Sequence, residues 1–87
     1  MAALTVSVVS AEREIWSGEA SQVVAKTVEG EIGILRGHEP LLAMLARGEV
    51  RVTTVGGEKV AVDAEGGFLS VDHDTVTIVA GKAALIA

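Results

Sequence analysis

The chain contains no cysteine, so no disulfide bond or thiolate metal site can reinforce its fold. Tyrosine is also absent, and 87 residues include only one tryptophan, one phenylalanine and one proline. No apolar run approaches the roughly 20 residues that a membrane-spanning helix requires. The first residues also lack the basic segment of a signal peptide. We therefore expect a soluble cytosolic domain with no direct insertion into a membrane.

Basic residues are scarce and scattered. Lysine and arginine number 7 against 12 aspartates and glutamates, which gives a formal net charge of −5. A protein that binds nucleic acid presents a basic stripe or patch to the phosphates. An anionic membrane surface attracts a similar polybasic segment. The composition argues against both classes of partner.

Valine is abundant, with fourteen copies, and β-branched side chains favour strands. Apolar and polar residues alternate in 4–8 and again in 75–79, the period of a half-buried strand. Glycine pairs at 56–57 and 66–67 separate further such runs and predict turns. A chain of this length forms one domain, residues 1–87. The pattern predicts an all-β sandwich or barrel, with Trp16 as an anchor in or beside the core.

The stretch 41–47 is the exception to this pattern. Leu41, Leu42, Met44 and Leu45 have helical spacing, and Pro40 precedes them as a helix N1 residue can. Local spacing alone therefore favours one or two helical turns here, although short apolar runs are poorly separated into helix and strand.

Residues that could perform chemistry are few. The chain has no phosphate-binding glycine loop and no nucleophile elbow. His38 beside Glu39, and His73 between Asp72 and Asp74, are the only groups that resemble acid–base or metal chemistry. Histidines 35 residues apart do not have metal-ligand spacing. We expect no catalytic residue, no metal and no cofactor. The Asp72–Asp74 segment is better interpreted as a solvated turn, and His38 as either a locally bonded loop residue or an interface contact.

Five segments of the chain, taken in order, resemble the epsilon subunit of the F-type ATP synthase: 8–12, 16–18, 29–34, 37–42 and 66–71. The resemblance implies a β-sandwich of two five-stranded sheets, about ten short strands, in which the Leu41 region is extended rather than helical. It implies a non-catalytic rotor subunit of the central stalk that links the gamma subunit to the c-ring and helps couple proton flow to ATP synthesis. Such a subunit is peripheral, at the cytoplasmic face of the plasma membrane.

The resemblance also assigns two sets of contact residues. The set implied to face the polar loops of the c-ring is Glu29, Gly30 and Glu31. The set implied to face the gamma subunit is Ser10, His38, Leu42 and Ala43. Carboxylates at a loop tip can pair with basic residues of a partner, but they can equally remain solvated turn charges.

The chain departs from the family in two places. Leu35 and Arg36 stand where family members often have an aromatic residue and a proline, which changes the shape expected of the following loop. No segment resembles the family's carboxyl-terminal helical hairpin, so its ATP binding and rotational inhibition are not carried over.

Two other functions fit the residues alone. One is a free-standing β-sandwich adaptor that binds an unrelated protein through the surface formed by 29–45. The other is a small enzyme or ligand-binding barrel that brings together His38, Glu39 and the Asp72–Asp74 turn. The second requires His38 and His73 to approach a common ligand within roughly 3–4 Å. We expect the two histidines to lie far apart.

Overall fold

The computed structural model describes residues 3–86, which form nine β-strands. These are β1 (Leu4–Ser10), β2 (Glu14–Thr27), β3 (Gly30–Leu35), β4 (Leu41–Met44), β5 (Gly48–Thr54), β6 (Lys59–Glu65), β7 (Phe68–Asp72), β8 (Thr75–Ala80) and β9 (Lys82–Leu85). The all-β sandwich predicted from the sequence is confirmed. Within residues 3–86, no helix is long and apolar enough to cross a membrane.

Strand β2 belongs to both layers of the sandwich. Its first half pairs with β1, while its second half lies between β3 and β5. The register with β5 shifts between Ala20 and Gln22, and such a bulge bends a strand. The first layer therefore has the order β4-β7-β8-β1-β2, and the second has the order β3-β2-β5-β6-β9. Each layer has five strands, as the family resemblance implies. The described residues form nine strands in total, rather than about ten, because β2 is counted in both layers.

The chain crosses between the layers again after β4. Strand β4 pairs with β7, and Leu45 then forms an isolated bridge with Thr27 of β2. The Leu45 amide donates to Gly67 O (3.0 Å), and the Ala46 amide donates to Lys26 O (2.9 Å). These bonds connect the edge of the first layer to the second, so the sandwich is closed along this side.

The helix that local spacing favours in 41–47 is therefore wrong, and the extended conformation implied by the family resemblance is correct. Leu41 and Ala43 are half-buried and Leu42 and Met44 are exposed, which is the alternation of a strand. Backbone hydrogen bonding to β7 outweighs the local preference, since β4 supplies the edge strand of the first layer.

The core lies between the two layers and is made of aliphatic side chains. The parallel pair β1 and β8 contributes six of them, with Val6 directly opposite Val76. The buried apolar residues are Leu4, Val6, Val8, Ala20, Val23, Ala25, Ile34, Leu45, Val50, Val52, Val62, Ala64, Leu69, Val71, Val76, Ile78 and Ala80. Trp16 packs against this cluster while partly exposed, so the predicted position beside the core is confirmed.

The tight approach of the 66–67 turn to β8 generates a testable prediction. Gly67 has φ +97°, and a Cβ there would overlap the carbonyl oxygen of Val79 and lie 2.7 Å from Ala80 Cα. Gly67→Ala should lower the free energy of unfolding by about 3 kcal/mol or more, because left-handed strain adds to a clash with backbone. Chemical denaturation measures this change.

The neighbouring glycine provides the control. Gly66 also has a positive φ, +70°, but a Cβ there meets nothing within 4 Å. Gly66→Ala should cost only about 1 kcal/mol from the backbone conformation. Equal losses for the two variants would contradict the close packing of Gly67 on β8.

Candidate functional site

The hairpin between β2 and β3 ends in a two-residue turn held by a buried hydroxyl. Thr27 pairs with Gly30 across the hairpin, so Val28 and Glu29 form the tip. Thr27 is 8 % exposed; its Oγ1 donates to Gly30 O (2.7 Å) and accepts from the Glu29 amide (3.2 Å). Gly30 has φ +126°, a conformation that side chains rarely adopt. Sequence reasoning identified Glu29 and Gly30 but missed Thr27, although a threonine before a turn is a recognisable signal.

Glu31 lies in a different environment from Glu29. It is exposed on β3 directly opposite Lys26, on the outer face of the second layer. Arg51 is nearby, and its pKa is raised by the hydrogen bond and charge of Glu49 (Nε to Oε1, 2.6 Å) and, to a smaller degree, by the charge of Glu31. Glu31 therefore shares a mixed-charge surface, whereas Glu29 stands at the tip.

A groove lies between the tip of the β2–β3 hairpin and β4. It has a volume of about 200 Å³ and is lined by Thr27, Val28, Glu29, Leu41, Leu42, Ala43 and Met44. The Val28 amide donates to Met44 O (3.0 Å), so the hairpin tip is attached to the end of β4. The groove therefore brings together residues from both predicted contact sets: Glu29, predicted to face the c-ring, lies beside Leu42 and Ala43, predicted to face the gamma subunit.

Leu42 and Ala43 point in opposite directions. Leu42 is 70 % exposed on the outer face of the first layer. Ala43 is half-buried and pairs with the buried Leu69, so its side chain is on the inner face. Of the two predicted contact residues on β4, only Leu42 presents its side chain to solvent.

A row of apolar side chains crosses the outer face of the first layer. Met44 pairs with Phe68, Phe68 with Val79, and Val79 with Val9, so these four residues stand side by side on β4, β7, β8 and β1. Met44 is 59 % exposed and Phe68 38 %. We call this set, Val9, Met44, Phe68 and Val79, the outer apolar row. Sequence reasoning missed it; the only signal was an apolar residue at the solvent-facing position of each strand.

The adjacent row on the same face contains small hydroxyl side chains around one leucine. Leu42 pairs with Ser70, Ser70 with Thr77, and Thr77 with Ser7. None of these side chains carries a charge or a long flexible stem. This row therefore offers a partner a surface with little side-chain entropy to lose on binding.

Ser10 and His38 lie at opposite ends of this layer. Ser10 ends β1, where its Oγ donates to Arg13 O (3.2 Å) and accepts from the Arg13 amide (3.3 Å), so it holds its own turn. His38 follows Gly37, whose amide bonds Asp74 beside the start of β8. Along β1, the two ends of the layer are marked by Thr5, which pairs with Thr75, and by Ser10. These two residues are five strand steps apart, about 17 Å at the rise of a strand.

One hydrogen bond connects the two histidine-containing segments. The Gly37 amide donates to Asp74 Oδ1 (2.7 Å), which connects the loop 36–40 to the turn between β7 and β8. Each histidine nevertheless has separate local contacts: His38 Nδ1 is 2.7 Å from Glu39 O, and His73 Nε2 is 3.5 Å from Asp72 Oδ1. Within residues 3–86, no three His, Asp or Glu side chains are arranged to hold a metal ion.

Comparison with known proteins matches residues 3–86 to the family model described as ATP synthase, Delta/Epsilon chain, beta-sandwich domain. The ATP synthase epsilon chain of Micrococcus luteus is 60 % identical, over 98 % of this chain and 93 % of the relative. The ATP synthase epsilon chain of Corynebacterium diphtheriae is 56 % identical, over 92 % of this chain; the match spans 66 % of that relative.

Solved structures show the same fold. A chain in the cryo-EM structure of the Euglena gracilis mitochondrial ATP synthase, OSCP/F1/c-ring, superposes with a TM-score of 0.91 at 29 % identity. That match covers 98 % of this chain and 54 % of the Euglena chain. A chain of the Tetrahymena thermophila mitochondrial ATP synthase central stalk and c-ring superposes with a TM-score of 0.75 at 20 % identity, over 94 % of this chain and 66 % of that one.

Proposed function

The chain belongs to the family of the ATP synthase Delta/Epsilon chain beta-sandwich domain, and we propose that it is a non-catalytic rotor subunit in the central stalk of a proton-translocating F-type ATP synthase. The Euglena structure that it resembles is an assembly of F1 and c-ring, which supports a place in the same kind of complex. The F1 part of such a complex is peripherally associated with a membrane, and we assign this domain to the cytoplasmic face of that membrane.

We propose that the outer face of the first layer binds the gamma subunit. The observation that carries this assignment is the outer apolar row, with Leu42 beside it in the next row. A contiguous exposed apolar patch on a small domain marks an interaction site, and here it is surrounded by small polar residues. His38 and Ser10 lie at the two ends of this layer, which suits a long contact. Ala43 contributes through the position it gives Leu42, since its own side chain points inward.

We propose that the tip of the β2–β3 hairpin contacts the polar loops of the c-ring. Glu29 is exposed at the tip, and Gly30 lets the partner backbone approach because it has no side chain. Glu31 adds a second carboxylate on the adjoining face. The positive charges of Lys26 and Arg51 lie near it there and partly offset its negative charge. A carboxylate pair of this kind favours basic residues in the partner.

The mechanical part of this function depends on how the two surfaces are joined. The hairpin tip is bonded to β4 through the Val28 amide and Met44 O, and to the core through Thr27. A displacement of the tip therefore reaches the gamma-facing layer through backbone hydrogen bonds and packed strands rather than through a flexible linker. This is the property required of a subunit that rotates with both partners.

Titration with purified gamma subunit tests the assignment of the first layer. Leu42→Asp should weaken binding by at least about 30-fold, because burying an unpaired carboxylate in place of an apolar contact costs about 2 kcal/mol or more. Adding His38→Ala should weaken it further. The matched control is Leu35→Asp, which introduces the same charge at a residue 58 % exposed on β3. The control should bind within about threefold of the unmodified chain, since a change outside the contact leaves affinity nearly unaltered.

Two outcomes would contradict the proposal. Equal weakening by Leu42→Asp and Leu35→Asp would exclude the first layer as the specific contact. Failure of the folded, unmodified chain to bind gamma would instead favour a free-standing adaptor for another protein.

Attachment to the c-ring tests the hairpin assignment. Glu31→Lys and Glu29→Lys should each weaken attachment of the gamma-bound chain to the ring, because each converts an attractive charge into a repulsive one. Melting temperature should change little, since both side chains are exposed. Glu58→Lys, an exposed carboxylate in the turn between β5 and β6, makes the same change in charge elsewhere. A similar loss with Glu58→Lys, or a large fall in melting temperature with Glu31→Lys, would contradict a contact role.

A further inference from the structure

Asp74 joins the turn between β7 and β8 to the loop 36–40. Its Oδ1 accepts the Gly37 amide at 2.7 Å, and its carbonyl oxygen accepts the Thr5 amide at 2.8 Å. We propose that Asp74 is a positioning residue: it fixes the loop that carries His38, and with it one end of the gamma-binding surface. The inference rests on the function proposed above, because the effect on a partner requires that this surface bind gamma.

The loop has few other restraints. The His38 amide bonds Leu35 O (3.2 Å) and His38 Nδ1 contacts Glu39 O (2.7 Å), both within or directly beside the loop. Among residues 3–86, Asp74 is the only one whose side chain bonds this loop from elsewhere in the fold. A hydrogen bond to a carboxylate is stronger than one between neutral groups, so this contact selects one position of the Gly37 amide.

Both partners of this bond have left-handed backbone conformations. Gly37, whose amide donates to Asp74, has φ +85°, which glycine adopts without strain. Asp74 has φ +60° and the adjacent His73 has φ +48°, in a two-residue turn between the paired Asp72 and Thr75. Turns of this type require a positive φ at both central positions, which glycine, asparagine and aspartate adopt most readily. The Asp74 carboxylate accepts the Gly37 amide, a bond that a glycine at this position could not form.

The bond links the centre of the first layer to its edge. Through Thr5, Asp74 is attached to β1, which pairs in register with β8. Through Gly37, it holds the segment that leads into β4 at Leu41. Loss of the bond should leave the core unchanged and release the loop, so the effect should appear in binding more than in stability.

Paired glycine substitutions in the turn test this proposal. Asp74→Gly removes the carboxylate and relieves the positive φ, while His73→Gly relieves a positive φ in the same turn and keeps the carboxylate. Two quantities are measured for each: the exchange rate of the Gly37 amide in the isolated chain, and the affinity for gamma. Asp74→Gly should accelerate Gly37 exchange about tenfold and weaken gamma binding about fivefold, the scale of one solvent-exposed hydrogen bond. His73→Gly should leave both within about twofold.

A conservative variant supplies the rescue. Asp74→Asn keeps an oxygen that can accept the Gly37 amide and tolerates a left-handed φ, so it should restore slow exchange and most of the affinity.

The possible failures are distinguishable. Equal effects of Asp74→Gly and His73→Gly would overturn the positioning role, as would faster Gly37 exchange with unchanged gamma affinity; in both cases the proposed function stands. Absence of gamma binding by the unmodified chain would overturn the proposed function, and the role of Asp74 in it, whatever the exchange rates.

Discussion

The structure depends on one strand that serves two layers. Strand β2 is 14 residues long, and its two halves have different neighbours: β1 along the first half, and β3 and β5 along the second. Its first half completes the layer that we assign to gamma, and its second half forms the hairpin that we assign to the c-ring. Val23 and Ala25 of the second half are fully buried, so the hairpin emerges from the core. A change in the bend of β2 would move one proposed surface relative to the other.

The crossing that follows β4 closes the sandwich beside the hairpin. Leu45 is buried where β4 leaves the first layer; its amide donates to Gly67 O in the turn before β7, and the Ala46 amide donates to Lys26 O of β2. This arrangement places the two proposed surfaces on either side of one groove rather than at distant ends of the domain. An 87-residue chain without disulfides has a small core, so backbone pairing along such crossings contributes much of its rigidity.

Local sequence patterns predicted the fold class because the alternation in β1 and β8 and the Gly56–Gly57 turn report directly on strands and hairpins. They gave the wrong conformation for 41–47, because the deciding interaction is pairing with β7, more than 20 residues away in sequence. The outer apolar row was missed for the same reason: its four members come from four strands and meet only through register.

The hydrogen bond between Gly37 and Asp74 could not be predicted from local sequence patterns either, because the two residues are 37 positions apart in the chain. The sequence marks both segments as turns, but nothing in either one indicates the other. The contact residues assigned by resemblance remain proposals, and the structure adds a distinction among them. Leu42 and Glu29 present their side chains to solvent, Ala43 points inward, and Ser10 stabilises its own turn.

The central claim is that the first layer, and not the second, faces the gamma subunit. Amide hydrogen exchange of the chain, alone and saturated with gamma, tests it most directly. We predict slower exchange in the complex for residues 37–44 and for the start of β7, with the exchange of β6 and β9 unchanged. Protection confined to β6 and β9, with 37–44 unaffected, would contradict the account.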